Sequence, residues 1–162
     1  MDWRTPIASR FATIELPPTL TNGSGIPVIG AICAIGGQPR LESCVFTGNR
    51  ATRGGAISAV GSTITMSNCT FTANACADSA DGCFGAALYG QDAQLSLDGG
   101  SVDDNGSCYR GGALYLAGGA ATLAEVSVRG KRARFGGGGF GVTGGALTLD
   151  RVLVESNTVG LG

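Results

Sequence analysis

The chain repeats itself. An apolar residue opens each unit at Leu16, Leu41, Met66, Leu97, Leu123 and Leu149, in steps of 25, 25, 31, 26 and 26 residues. Other columns keep the same phase. Phe46, Phe71, Val102, Val128 and Val154 follow about five residues on, with Cys44, Cys69, Gly100, Val126 and Val152 two positions before them. Asn49, Asn74, Asn105, Lys131 and Asn157 stand three positions after. A small-residue run then recurs as Gly54-Gly55-Ala56-Ile57, Gly85-Ala86-Ala87-Leu88, Gly111-Gly112-Ala113-Leu114 and Gly137-Gly138-Gly139-Phe140, with a fainter Gly30-Ala31-Ile32 ahead of them. Several columns holding phase at this period define a repeat architecture.

The spacing inside each unit decides what repeats. Apolar residues alternate at Ile64/Met66, Leu95/Leu97, Leu114/Leu116, Val126/Val128 and Val152/Val154, the pattern of strands with one buried face. Helical repeats would need Ala, Leu, Glu and Lys where this chain places Gly and Thr. Glycine supplies 29 of 162 residues, against a usual share of roughly 7%, and the chain is 43% hydrophobic with only 14% charged residues. That combination excludes disorder and favours many tight turns around buried stacks. The expected fold is all-β: a right-handed parallel β-helix (solenoid) of about six coils, 25–31 residues per coil, with three short strands in each. One coil cannot bury its own inward side chains, but coils stacked at about 4.8 Å turn each column into a ladder. Asn49, Asn74, Asn105 and Asn157 are expected to form one such ladder, passing side-chain hydrogen bonds between coils. The pairs Gly54-Gly55 and Gly111-Gly112 are expected at corners that admit no Cβ.

The organisation follows from the repeat. Residues 1–15 read as a lead-in or N-terminal cap, with Trp3, Ile7 and Phe11 spaced to lay one apolar face on the open end. Residues 16–162 are the coils. The long unit places its surplus in a bulge over Ala75 to Gly82, because extra residues are tolerated in a loop and disrupt a strand ladder. At the other end "TVGLG" arrives where a Gly pair is due, with nothing polar to shield the stack. Further repeats or another subunit are therefore expected to cover the C-terminal face.

Chemistry is sparse. A net charge of −1 gives no electrostatic footprint for nucleic acid or an anionic membrane. No apolar run reaches the roughly 18 residues of a membrane span, and the opening "MDWRTPIASR" lacks the apolar core of a secretory signal. The chain has no His, which disfavours nucleophilic triads and most metal sites. Asp98, Asp103 and Asp104 cluster in one unit, with Asp78 and Asp81 in the insertion before it. They could supply a Ca²⁺ site or a carboxylate pair for glycoside hydrolysis. The simpler reading sets Asp103 in an outward column with Thr47, Thr72, Arg129 and Glu155, alternating in sign from coil to coil. No catalytic residue and no cofactor is expected, with Ca²⁺ on those three aspartates the one metal candidate. "VRGKRAR" and Arg50/Arg53 read as solvated turns.

Cys44 and Cys69 fall in an apolar column and read as stacked core thiols. Cys76, Cys83 and Cys108 fall in turns; a Cys76–Cys83 disulfide would pin the insertion, with Cys108 a competitor and Cys33 lacking an evident partner. Asn22, Asn68 and Asn105 open glycosylation sequons. A place in the ladder would bar Asn105, leaving Asn22 and Asn68, and these favour an extracellular or cell-surface location.

"CVFTGNRATRGGAI" and "CTFTANA…FGAAL" resemble the paired FxxN and GGAI repeats of chlamydial polymorphic outer-membrane proteins, which occur also in large surface proteins of algae and other protists. The resemblance runs from about Leu16 to Gly162, is sharp in two units, and departs at Lys131 in the Asn slot and at Val102, Val128 and Val154 in the Phe slot. It implies the right-handed pectin-lyase-like fold of autotransporter passengers, and surface display, adhesion or a structural stalk without catalysis. The expected function is a noncatalytic structural or adhesive segment of a larger cell-surface or extracellular filament assembly, with carbohydrate or a host or cell surface as ligand classes. Two alternatives stand beside it: a polysaccharide-active β-helix enzyme, lyase or hydrolase on acidic glycans, and an intracellular structural scaffold.

Overall fold

Every strand pairing among the described residues is parallel, and each joins one repeat to the next. The structure, a computed structural model, describes residues 19–20, 30–77, 82–106 and 108–160. It is an all-β solenoid of about five turns, with no helix among those residues. The repeat columns are the registers. Leu41 pairs with Met66, Met66 with Leu97, Leu97 with Leu123, and Leu123 with Leu149. Phe46, Phe71, Val102, Val128 and Val154 stack likewise, as do Ile32, Ile57, Leu88, Leu114 and Phe140. The Phe46 and Phe71 rings lie parallel with centroids 4.8 Å apart, the spacing of the strands that carry them.

Each coil has four strand positions rather than the expected three. In the first fully described coil they are Ile32–Ile35, Arg40–Glu42, Val45–Thr47 and Arg50–Ala51. In later coils neighbouring positions merge into long bent strands, as the first three do in Leu88–Asp103. Four corners account for this, each a column of left-handed residues. One runs Gly36, Gly61, Asp92, Gly118, Gly144; the next Ser43, Asn68, Gly99, Glu125, Arg151; the third Gly48, Ala73, Asp104, Gly130, Ser156. The fourth, Gly54, Gly85, Gly111 and Gly137, is glycine throughout. There a Cβ would fall 1.8–2.4 Å from the carbonyl oxygen of Ile57, Leu88, Leu114 or Phe140. At Gly36, Gly48 and Gly61 a Cβ would meet nothing, so those columns accept other residues at only the intrinsic cost of the left-handed backbone. The corner between the second and third strand positions had no sequence signal strong enough to read, because Ser, Asn, Glu and Arg occupy it.

The second glycine of each pair serves stacking. A Cβ on Gly55 would lie 2.3 Å from Ala86 O, and one on Gly112 2.2 Å from Gly138 O, both in the following coil. The insertion begins later than the expected Ala75, because Ala75 and Cys76 stay in the ladder, paired with Arg50 and Ala51. Ala51 pairs with Cys76 and Arg53 with Phe84, so two residue steps in one coil face eight in the next. The six extra residues lie between Cys76 and Phe84, and the ladder resumes on both sides. The proposed cap, with Trp3, Ile7, Phe11 and Leu16, lies outside the described residues.

Candidate functional site

The Asn column is a buried polar seam. The Asn49 amide N–H and side-chain Nδ2 both donate to Asn74 Oδ1, at 3.1 and 2.9 Å. Asn74 repeats this toward Asn105 Oδ1, at 3.0 and 2.9 Å. The Nδ2 groups of Asn74, Asn105 and Asn157 donate to the carbonyls of Phe46, Phe71 and Val128, each at 2.9 Å. One oxygen and one amide nitrogen per coil thus serve backbone that an apolar core would leave unpaired. Asn105 is buried and its Nδ2 is occupied, which removes its sequon from use in the folded chain.

Lys131 interrupts the seam. It was expected in a solvated turn; instead it is 1% exposed. Its backbone N–H donates to Asn157 Oδ1 at 3.0 Å, and its Nζ donates to Arg129 O. An ammonium has no acceptor to offer Asn105 as an asparagine would. Burial pushes the amine down from its ordinary 10.5 to about 8, against the attraction of Asp103 and Asp104, which act to raise it. The lysine is a charge held in a polar slot rather than a solvated cation.

The aspartates are not gathered around an ion: no group of three His, Cys, Asp or Glu side chains among the described residues could hold a metal. Asp98 is exposed in a column between Ser67 and Ala124. Asp103 is outward, in register with Thr72 and Arg129, and accepts from Ser127 Oγ at 3.5 Å. Asp104 forms a left-handed corner, and a Cβ on the next corner residue, Gly130, would lie 2.2 Å from its Oδ1. The expected sign alternation holds in part: Arg129 pairs with Glu155 at 2.8 Å, while no ion pair joins it to Asp103. Asp78, Asp81 and Asn22 lie outside the described residues; Asn68 is an exposed corner residue.

Cys44 and Cys69 are buried thiols as expected, and burial pushes the Cys69 thiol up to about 11. Cys76 and Cys83 are buried together with Ala86 in a small apolar cluster at the root of the insertion. Cys76 Sγ donates to Thr52 O at 3.4 Å, and Cys83 Sγ accepts from the Tyr109 amide at 3.2 Å. Cys33 is exposed.

Compared with protein-family models, curated proteins and solved structures, the chain matches none. Two surfaces then stand out by geometry alone. The last coil carries the core columns outward: Leu149 and Val154 are each 44% exposed, whereas Leu123 and Val128, one coil earlier in the same columns, are buried. Val159 and Leu153 are exposed beside them. The second surface is a run of aromatic contacts below the insertion, absent from the sequence reading. Tyr89 stacks on Tyr115, Phe84 tilts against Tyr115, Tyr109 meets Phe84 edge-on, and Phe135 packs on Tyr109. A signal was present in the 26-residue spacing of Tyr89 to Tyr115 and of Tyr109 to Phe135.

Proposed function

We propose that this chain is a noncatalytic structural segment of a larger cell-surface or extracellular assembly, and that it works by coil-on-coil stacking. The observation that carries this is the last coil, where Leu149 and Val154 keep the register of buried columns yet face solvent. A parallel coil laid on that face would bury both side chains and pair the strand edge beside them. The polar core supports the same reading, since its asparagines are engaged in coil-to-coil hydrogen bonds. The FxxN and GGAI resemblance and the exposed Asn68 sequon support surface display.

Labelling tests the stacking. A cysteine placed by Val154→Cys is expected to react about tenfold more slowly with an alkylating reagent in the native assembly than in the isolated chain at high dilution. Equal rates would sink the proposal. Turnover of a uronate polymer, lost on Asp103→Ala, would replace it with an enzymatic reading.

A further inference from the structure

The fourth side of the solenoid, built from residues 50–53, 75–77, 82–84, 108–110, 132–136 and 158–160, segregates charge. Among the described residues it carries Arg50, Arg53, Arg110, Arg132 and Arg134, all exposed, and no Asp or Glu. The ion pairs among the described residues involve Arg129 and Arg151, on other sides; none engages the guanidinium groups of Arg53, Arg110, Arg132 or Arg134. Exposed rings lie between them. Tyr109 is 38% and Phe135 54% exposed, with centroids 4.6 Å apart. Arg110 stands 6.0 Å from the Tyr109 centroid, and Arg53 5.7 Å from that of Tyr89.

Register places these groups in line along the solenoid axis. Arg53 pairs with Phe84, Phe84 with Arg110, and Arg110 with Gly136 beside Phe135. Three coil steps at about 4.8 Å spread the guanidinium groups over about 14 Å. Phe84 ties the exposed rings to the interior, edge-on to Tyr109 and tilted against buried Tyr115, which stacks on buried Tyr89. The strip is therefore held by packing rather than by a mobile loop.

We propose that this side is a binding strip for an acidic polysaccharide. The C–H faces of sugar rings are apolar and slightly positive, and they suit the negative faces of Tyr109 and Phe135. Carboxylate or sulfate groups along the same polymer suit the planar donor forks of Arg53, Arg110, Arg132 and Arg134. A linear ligand matches sites repeated coil by coil. An acidic peptide has the charge without the flat apolar faces, and a nucleic acid meets a chain of net charge −1 that gives it no long-range attraction. The strip lies on a side of the solenoid and the stacking face at its end, so either proposal stands if the other fails.

Binding of the whole chain to heparin, alginate and hyaluronate, compared with neutral dextran, polyglutamate and oligo-dT, tests the strip. At least one acidic polysaccharide is expected to bind about tenfold or more tightly than dextran, polyglutamate or oligo-dT, with affinity falling as salt rises. Phe135→Ala and Arg134→Ala should each weaken it by about tenfold, whereas Arg129→Ala, on another side, should leave it unchanged. Arg110→Ala provides a second exposed probe if the circular dichroism of either variant departs from the parent. Four outcomes would overturn the proposal: no binding to any of the three polysaccharides, equal binding to polyglutamate, tighter binding to oligo-dT, or loss on Arg129→Ala equal to that on Arg134→Ala.

Discussion

Replacing Lys131 by Asn is expected to raise stability by about 2–3 kcal/mol near neutral pH, because it removes a buried charge and restores two ladder hydrogen bonds. An asparagine there would offer Oδ1 to the Asn105 amide and Nδ2 to the Val102 carbonyl, as Asn74, Asn105 and Asn157 do for their own neighbours. The pH dependence identifies the cause. The Lys131 amine titrates at about 8 when folded and at the ordinary 10.5 when unfolded. Between those values the unfolded chain binds more protons, so the parent gains stability as pH rises through that window, and below it the full penalty of the buried ammonium applies. Cys69 acts in the opposite sense. Its thiol is raised from 9.0 to about 11 in the folded chain, so its contribution is complete below 9 and is lost as pH rises toward 11. Subtracting parent from variant cancels the thiol. The advantage of Lys131→Asn should be largest below pH 8 and shrink toward pH 10.5, measured by denaturant unfolding. A variant no more stable at pH 7, or an advantage indifferent to pH, would contradict the assignment of Lys131 as a buried cation.

Asn74→Ala should have the opposite effect, costing about 4 kcal/mol. Its side chain accepts from the Asn49 amide and Nδ2 and donates to Phe46 O and Asn105 Oδ1, so a single truncation removes four hydrogen bonds from a site with no exposure. Asn74→Asp separates hydrogen bonding from shape. It keeps the volume and the acceptor but turns an oxygen toward Phe46 O and Asn105 Oδ1, and it buries a charge, so it should be no better than alanine. Thr72→Ala, two residues away on the outward column, should stay within about 0.5 kcal/mol of the parent. If Asn74→Ala unfolds at the same denaturant concentration as Thr72→Ala, the ladder is not what holds these coils in register.

The difference between these asparagines and Lys131 shows how far a repeat can be read. The slot itself was legible, because ladder side chains must recur once per coil, and the column positions of Leu41, Phe46, Asn49 and Gly55 become strand registers without further information. What enters the slot was not. Lys131 sits in a run of basic residues that looks like an exposed turn, and only the stacked neighbours above and below it make the position an interior one. The left-handed corner through Ser43, Asn68, Glu125 and Arg151 was hidden for a related reason. Ser, Asn, Gly, Glu and Arg all hold the left-handed backbone there, so no constant letter marks it, whereas the crowded corner through Gly54 and Gly111 is written in glycine.

By itself the sequence determined that the chain is a parallel solenoid, which residues stack on which, in which coil the surplus six residues leave the stack, and that the asparagines form a seam. These are properties of one residue and its counterpart a coil away, and periodicity carries them directly. Tertiary structure alone decided the corner through Ser43, Asn68, Gly99, Glu125 and Arg151, the burial of Lys131, the dispersal of Asp98, Asp103 and Asp104, and the meeting of Phe84, Tyr109, Phe135 and five arginines on one side. Those depend on how sharply the backbone turns between columns and which segments the turns bring round to the same face. Corner angles are set by left-handed backbone and Cβ clearance, which a linear order of residues does not record.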